Sequence, residues 1–225
     1  MTKDQLNISF CGEIFVPMLS GALFWPAENT LLVADLHFEK MSSFARRGQL
    51  LPPYDTKATL ARLESDIVFC GATRVICLGD SFHRDEGTTT LPADELKLLK
   101  SLTSRLDWLW LAGNHDPLPH QLGGKCAEQL AFGDLVLSHE PAFDLVGQIG
   151  GHLHPSARIS TNGRVTRRPC FVHDERLMIL PAYGVSTGTL NILSKPFAGL
   201  FERKKLKVIM LGKNRLYPVA TRFLI

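Results

Sequence analysis

Trp108-Leu109-Trp110-Leu111-Ala112-Gly113-Asn114-His115-Asp116 is an apolar run that stops at a glycine and gives way at once to an amide, an imidazole and two further polar atoms on a carboxylate. Buried without partners, such groups would weaken a core. At the end of a strand they can bind a metal or move protons. The stretch therefore reads as a strand that delivers reactive side chains to an edge, and it decides the fold if other strands do the same.

Four others do. Leu31-Leu32-Val33-Ala34 runs into Asp35-Leu36-His37, Arg74–Leu78 into Gly79-Asp80, Leu135-Val136-Leu137 into Ser138-His139, and Gly150-Gly151 into His152-Leu153-His154-Pro155. In an open α/β sheet the carboxyl ends of the strands share one edge, where ligand crevices form. Asp35, His37, Asp80, Asn114, His115, His139, His152 and His154 can thus meet there. The spacing of two in Asp35/His37 and His152/His154 points both members of a pair to one side if the segment is extended. Carboxylate, amide oxygen and imidazole donors without thiolate favour manganese, iron or zinc over a structural thiolate zinc. These candidate ligands exceed the need of one tetrahedral ion, so two divalent ions sharing a carboxylate are expected, with Asp80, alone at its strand end, as the bridge.

The segments between these strands set the fold class. Ile14–Val16 and Leu23–Trp25 read as a hairpin at a sheet edge. Phe38–Arg47 reads as a short helix ended by Gly48, and Asp55 or Thr56 as the N-cap of a helix running to Cys70 and closed by Gly71, with Leu60, Leu63 and Ile67 on one face. Pro92–Ser104 is a second amphipathic helix with Asp94 and Glu95 in its first turn. After residue 154 only short strands follow, at Cys170–Val172, Leu177–Leu180, Thr189–Ile192 and Lys207–Met210. Alternating strand and helix followed by strands predicts one layered α/β domain over residues 1–225, an α-β-β-α sandwich of two mixed sheets.

Composition narrows the functional classes. The 225 residues, 45% hydrophobic and 21% charged, suit one soluble core. No apolar run is long enough to span a membrane and no signal-peptide pattern opens the chain, so the cytoplasm is the expected compartment. Five scattered cysteines, with no C-x-x-C pair, are expected to be reduced thiols. The net charge of +3 hides an asymmetry: residues 151–225 hold thirteen Lys and Arg against three acidic residues. Such clustering attracts phosphate backbones, although no regular alternation of aromatic and basic residues marks a stacking platform.

The ordered blocks D-x-H, G-D, G-N-H-D, H and G-H-x-H over residues 35–154 resemble the signature of the calcineurin-like metallophosphoesterases. The resemblance implies that Asp35, His37, Asp80 and His154 bind one ion, that Asp80, Asn114, His139 and His152 bind the other, and that His115 protonates the leaving oxygen. It implies a hydroxide generated at two metals, manganese foremost with iron, zinc or magnesium as the other candidates. Where many members read G-D-x-x-D-R-G, this chain has Gly79-Asp80-Ser81-Phe82-His83-Arg84, so His83 replaces an aspartate while Arg84 keeps its place as a phosphate contact. Arg46 and Arg47 are further candidate phosphate contacts. Asp116 is expected to support His115 or a nearby ligand.

The stretches Ser42–Leu50, Leu78–His83 and Leu180-Pro181-Ala182-Tyr183-Gly184 resemble the bacterial branch associated with a DNA ligase and a helicase and described as DNA-damage-response endonucleases. That implies a phosphodiesterase acting on single-stranded or damaged DNA, with ligase or helicase proteins as partners. A nucleotide or other small phosphate ester is the alternative substrate. A non-catalytic interaction protein is a third reading, against which the complete ligand set counts.

Overall fold

A computed structural model describes residues 6–45, 48, 54–161 and 163–225. In chain order the elements are β1 (Ile8–Phe10), β2 (Glu13–Pro17), β3 (Leu23–Trp25), β4 (Thr30–Val33), α1 (Lys40–Ala45), α2 (Asp55–Cys70), β5 (Arg74–Leu78), α3 (Gly87–Thr90), α4 (Ala93–Arg105) and β6 (Asp107–Leu111). They continue with β7 (Lys125–Ala127), β8 (Gln129–Phe132), β9 (Leu135–Ser138), β10 (Gln148–Gly150), β11 (Pro155–Thr161), β12 (Arg164–His173), β13 (Leu177–Ile179), β14 (Leu190–Asn191), β15 (Lys207–Leu211) and β16 (Leu216–Val219).

The first sheet runs β1-β2-β3-β4-β5-β6-β7 in spatial order, antiparallel from β1 to β4 and parallel from β4 to β7. Parallel neighbours need long crossovers, which α1 with α2 and α3 with α4 supply. The second sheet runs β14-β11-β12-β13-β10-β9-β8, with β15 and β16 added through β12. Its β9, β10 and β13 are parallel. Two mixed sheets with few helices is the layered arrangement expected.

Strand alternation assigns the layers. Leu31, Val33, Val75, Cys77, Trp108 and Trp110 face Leu60, Leu63, Leu99 and Leu102 of the helices, while Leu32, Ala34, Ile76, Leu78 and Leu111 meet Leu137, Ile149, Phe171, Met178 and Leu180 of the second sheet. Both faces of the central strands are covered, which is why they read as continuous apolar runs rather than alternating ones. On the outer face of the second sheet, Val172, Ile179 and Met210 are covered by Ile192, Phe197 and Leu200. That layer is an irregular segment with a 3-10 turn, Lys195–Phe197; among the described residues the α-helices all precede β6 in the chain.

Local expectations differ in detail. The position before α2 is Tyr54, with no side-chain cap, whereas Asp55 and Thr56 tie α2 to the segment ahead of it. The Asp55 carboxylate accepts the Met41 N–H at 3.0 Å, and the Thr56 hydroxyl donates to Glu39 at 2.9 Å while accepting its N–H at 2.8 Å. Gly71, at φ 69°, closes α2 as expected. The helix expected from Phe38 starts at Lys40, because Phe38 is fully buried and pairs with Phe82. Pro92 stands one position before α4. No described helix is long and apolar enough to cross a membrane.

Candidate metal centre

The strands of both sheets end at one place. Beyond β4 and β5 the chain stays paired: the Asp35 N–H donates to the Gly79 carbonyl, His37 N–H to Asp80, and Phe38 N–H to Ser81, at 3.2, 2.9 and 2.8 Å. From the second sheet, the Gly151 N–H reaches the His139 carbonyl at 3.0 Å and the Leu180 N–H that of Gly150 at 2.9 Å. Tyr183 and Gly184 close the back by donating to the carbonyls of Ala34 and Asp35.

At these ends the backbone is strained rather than extended. Asp35, His37, Asp80, His152 and His154 have φ of 55°, 45°, 48°, 69° and 44°. Side chains in the left-handed region cost energy and persist where surrounding structure fixes them, most often at functional sites. Asp35 and His37 do converge, but through these turns and not through strand pleating. His152 and His154 diverge into two different groups.

Those groups are Asp35, His37 and His154, and Asp80, His139 and His152, each offering ligand atoms within 4.8 Å of one another. In the first, His37 Nε2 is 3.2 Å from His154 Nε2, which is 3.3 Å from Asp35 Oδ1. In the second, His139 Nε2 is 3.2 Å from His152 Nδ1 and 3.3 Å from Asp80 Oδ1, and the Asn114 Oδ1 lies 3.0 Å from both nitrogens. Asp80 faces both, its Oδ2 being 3.8 Å from His37 Nε2. Two donors held about 2.1 Å from one ion stand about 3.0–3.4 Å apart at octahedral or tetrahedral angles. The donor spacing within each group therefore fits one divalent ion, and Asp80 faces the first group from the second.

The imidazoles are oriented from behind. His139 Nδ1 lies 2.9 Å from the Leu78 carbonyl and His154 Nδ1 3.1 Å from that of Gly188, which fixes the nitrogen left for a ligand. Asp35 takes the His152 N–H at 3.1 Å, and Asp80 the His115 N–H at 2.9 Å. Burial pushes His37 down to about 2. Burial alone would raise the Asp80 carboxyl, but the hydrogen bond and charge of His139 overcome it and hold it at about 2. Burial would lower His139, yet its bond to Asp80 and the charge of Asp35 carry it to about 9.

His115 joins neither group. It is exposed, edge-on to His37 with ring centroids 5.2 Å apart, and stacked on His83 at 5.2 Å and 21°. Its Nδ1 lies 3.1 Å from the His83 carbonyl. Sequence reasoning missed this role of His83, since the only signal was its departure from the usual aspartate. Asp116 does not reach His115: its Oδ2 accepts the Phe82 N–H at 3.0 Å, pinning the loop after Asp80, and burial raises its carboxyl to about 7. Arg84 lines a cavity of about 180 Å³ with His83, Ser42, Ser43 and Glu39. Arg46 and Arg47 lie outside the described residues.

Gly113 matters for space rather than for turning. Its φ is not positive, but a Cβ there would lie 2.1 Å from the Asp80 nitrogen and 2.3 Å from Asp80 Oδ1. Gly79 combines both needs, with φ 76° and a Cβ position 2.5 Å from the His139 ring. The five cysteines are free thiols, and none joins either group.

Compared with protein families, residues 29–167 match the calcineurin-like phosphoesterases, a span holding every strand-end block from Asp35 to His154. The chain belongs to that family. No curated protein matches it. Among solved structures it is similar to the Pseudomonas putida nuclease MPE, with 26% identity over 96% of this chain and 100% of that one and a TM-score of 0.73. YfcE, a phosphoesterase from E. coli, matches at 16% identity over 85% of this chain and 92% of its own, with a TM-score of 0.37. As a calcineurin-like phosphoesterase, the chain is a metal-dependent phosphoesterase with two candidate metal-binding groups.

Proposed function

We propose that the chain, acting as one domain, is a dinuclear phosphodiesterase that cuts DNA internally, on single strands or at damage. The observation that carries this reading is the convergence of Asp35, His37 and His154 into one group and of Asp80, His139 and His152 into another, with Asn114 beside the second and Asp80 3.8 Å from His37 of the first. Likeness to a nuclease over 96% of this chain and the whole of that one supports the substrate class. So does the excess of ten positive charges in residues 151–225.

Asp35, His37 and His154 with Asp80 would hold one ion; Asn114, His139 and His152 with Asp80 would hold the other. The oxygen and imidazole donor set suits manganese, with iron, zinc or magnesium as substitutes. When bound, such a pair lowers the pKa of water toward neutrality and offsets the charge of the phosphoryl oxygens. His115, as imidazolium, keeps its Nδ1–H on the His83 carbonyl and hands its Nε2 proton to the leaving oxygen. Stacking on His83 holds that ring toward the crevice. Arg84 grips a neighbouring phosphate through charge-assisted hydrogen bonds. The free thiols fit a cytoplasmic setting, and repair proteins such as a ligase or helicase are the partners this reading suggests.

The test is cleavage with manganese of single-stranded DNA beside a chromogenic phosphodiester. Both are expected to be hydrolysed. Activity on the small ester alone would make a small phosphate ester the substrate, and inactivity on both would leave an interaction protein.

A further inference from the structure

Residues 155–173 and 206–225 contain eight Lys and Arg and no Asp or Glu. They form two hairpins, β11–β12 and β15–β16, joined side by side where Cys170 pairs with Met210. Directly paired residues of antiparallel strands project from the same face. Arg168 pairs with Ala157, Thr166 with Ile159 and Tyr217 with Met210, and Ala157, Ile159 and Met210 all belong to the core outside the second sheet. Arg168, Thr166 and Tyr217 are therefore brought to one outer face, where with Lys213 and Phe223 they line a cavity of about 620 Å³.

The floor is apolar, through Ile159, Met210 and Val219, and the rim is cationic. Two large rings stand open on it, Tyr217 at 43% and Phe223 at 53% exposure. The Arg215 guanidinium lies 4.7 Å from the Tyr217 ring centroid and that of Arg222 5.0 Å from Phe223. Exposed rings, guanidinium planes and unpaired cations together are what a flexible polyanion with flat bases requires, because every base has a face to stack while its phosphates need only charge. Arg215 with Tyr217 and Arg222 with Phe223 are neighbours in sequence, whereas Arg168 joins these rings from the other hairpin, a juxtaposition that chain order concealed. Along β11 the cavity starts within reach of the metal centre: Arg168 pairs with Ala157, three residues or about 10 Å past His154, and Ile159 lies five residues or about 17 Å past it.

We infer that this face is a subsite for single-stranded nucleic acid, with bases stacked on Tyr217 and Phe223 and phosphates held by Arg168 and Lys213. The inference rests on the phosphodiesterase reading and adds where the strand is gripped away from the cut.

The experiment measures binding of the chelator-treated full chain to a labelled oligothymidylate and to an abasic strand of equal length, with turnover of the chromogenic phosphodiester measured on the manganese-loaded chain. Wild type is expected to prefer the oligothymidylate. Tyr217→Ala should weaken that binding about tenfold while barely changing the abasic strand, and Tyr217→Phe should restore it. Arg168→Gln with Lys213→Ala should weaken both and flatten the logarithmic salt dependence by about 0.7 per cation removed. Turnover of the small ester should stay at the wild-type value in each. If wild type binds the oligonucleotide and the variants bind equally well, the subsite is wrong while the phosphodiesterase reading stands. If wild type turns over the small ester but binds neither strand, the nucleic-acid reading fails and the subsite with it. Should Tyr217→Ala also lose small-ester turnover, that variant is misfolded and Lys213→Ala, on the exposed hairpin turn, decides by the same criteria.

Discussion

Replacing Gly113 by alanine adds one methyl group at the tightest point of the site. The new Cβ would sit 2.1 Å from the Asp80 nitrogen, 2.3 Å from Asp80 Oδ1 and 2.6 Å from Asp116 Oδ1, more than an ångström short of van der Waals contact with the first two. Neither neighbour is a flexible chain end. The Asp80 backbone is held by the His37 N–H, and Asp116 is pinned to Phe82. Asp80 must therefore move by about an ångström, and it faces both ligand groups. A misplacement of that size at a reacting centre costs about 10²-fold in rate. Overpacking costs about 1–3 kcal/mol of stability, which for a chain of this length lowers the melting temperature by about 2–12 °C. The assay is bound metal by elemental analysis, with turnover of a phosphodiester and a thermal melt on the same preparation. Gly113→Ala is expected to fold, to lose bound metal and to lose at least about 10² in kcat/KM. A variant with wild-type metal content and turnover would refute the packing argument.

Other residues give separable outcomes. His115→Ala should lower turnover about 10²–10⁴-fold with metal content unchanged, because His115 lies in neither ligand group; an emptied site would show that it is a ligand. Tyr183→Phe removes the hydroxyl that donates to Asp66 at 2.7 Å, and denaturant unfolding should report a loss of about 1.5–3 kcal/mol with activity largely kept; an unchanged midpoint would mean the bond contributes nothing. Burial lowers His173, so below about pH 6.5 the unfolded chain takes up a proton that the folded chain refuses, and stability falls as pH drops. Melting between pH 7 and pH 5 should therefore decline less steeply in His173→Gln than in wild type, and equal slopes would contradict this.

What was legible in the sequence follows from what burial does to composition. β4, β5 and β6 are covered on both faces, so their apolar runs stand out, and the polar groups at their ends stand out because they break those runs. The hairpin arm Arg164–Arg168 is exposed throughout and polar apart from Val165, leaving no alternation to read, and β7, β8 and β10 are three or four residues long. In the site, residue types were readable but backbone was not. Nothing in Asp35-Leu36-His37 announces two left-handed residues, and the pairing of His115 with His83 depends on a loop whose course is fixed by Asp116 from another strand. Gly113 was visible as the residue that ends an apolar run, whereas its reason is the nearness of Asp80, which only the packed strands reveal.

On the proposed reading, two ions sharing Asp80 make this chain a DNA phosphodiesterase. Titrating the chelated full chain with manganese, while following bound ion and cleavage of single-stranded DNA together, tests it most directly. Cleavage is predicted to be absent without metal and to reach its plateau at two ions per chain. Cleavage by the metal-free chain, or none with two ions bound, would contradict it.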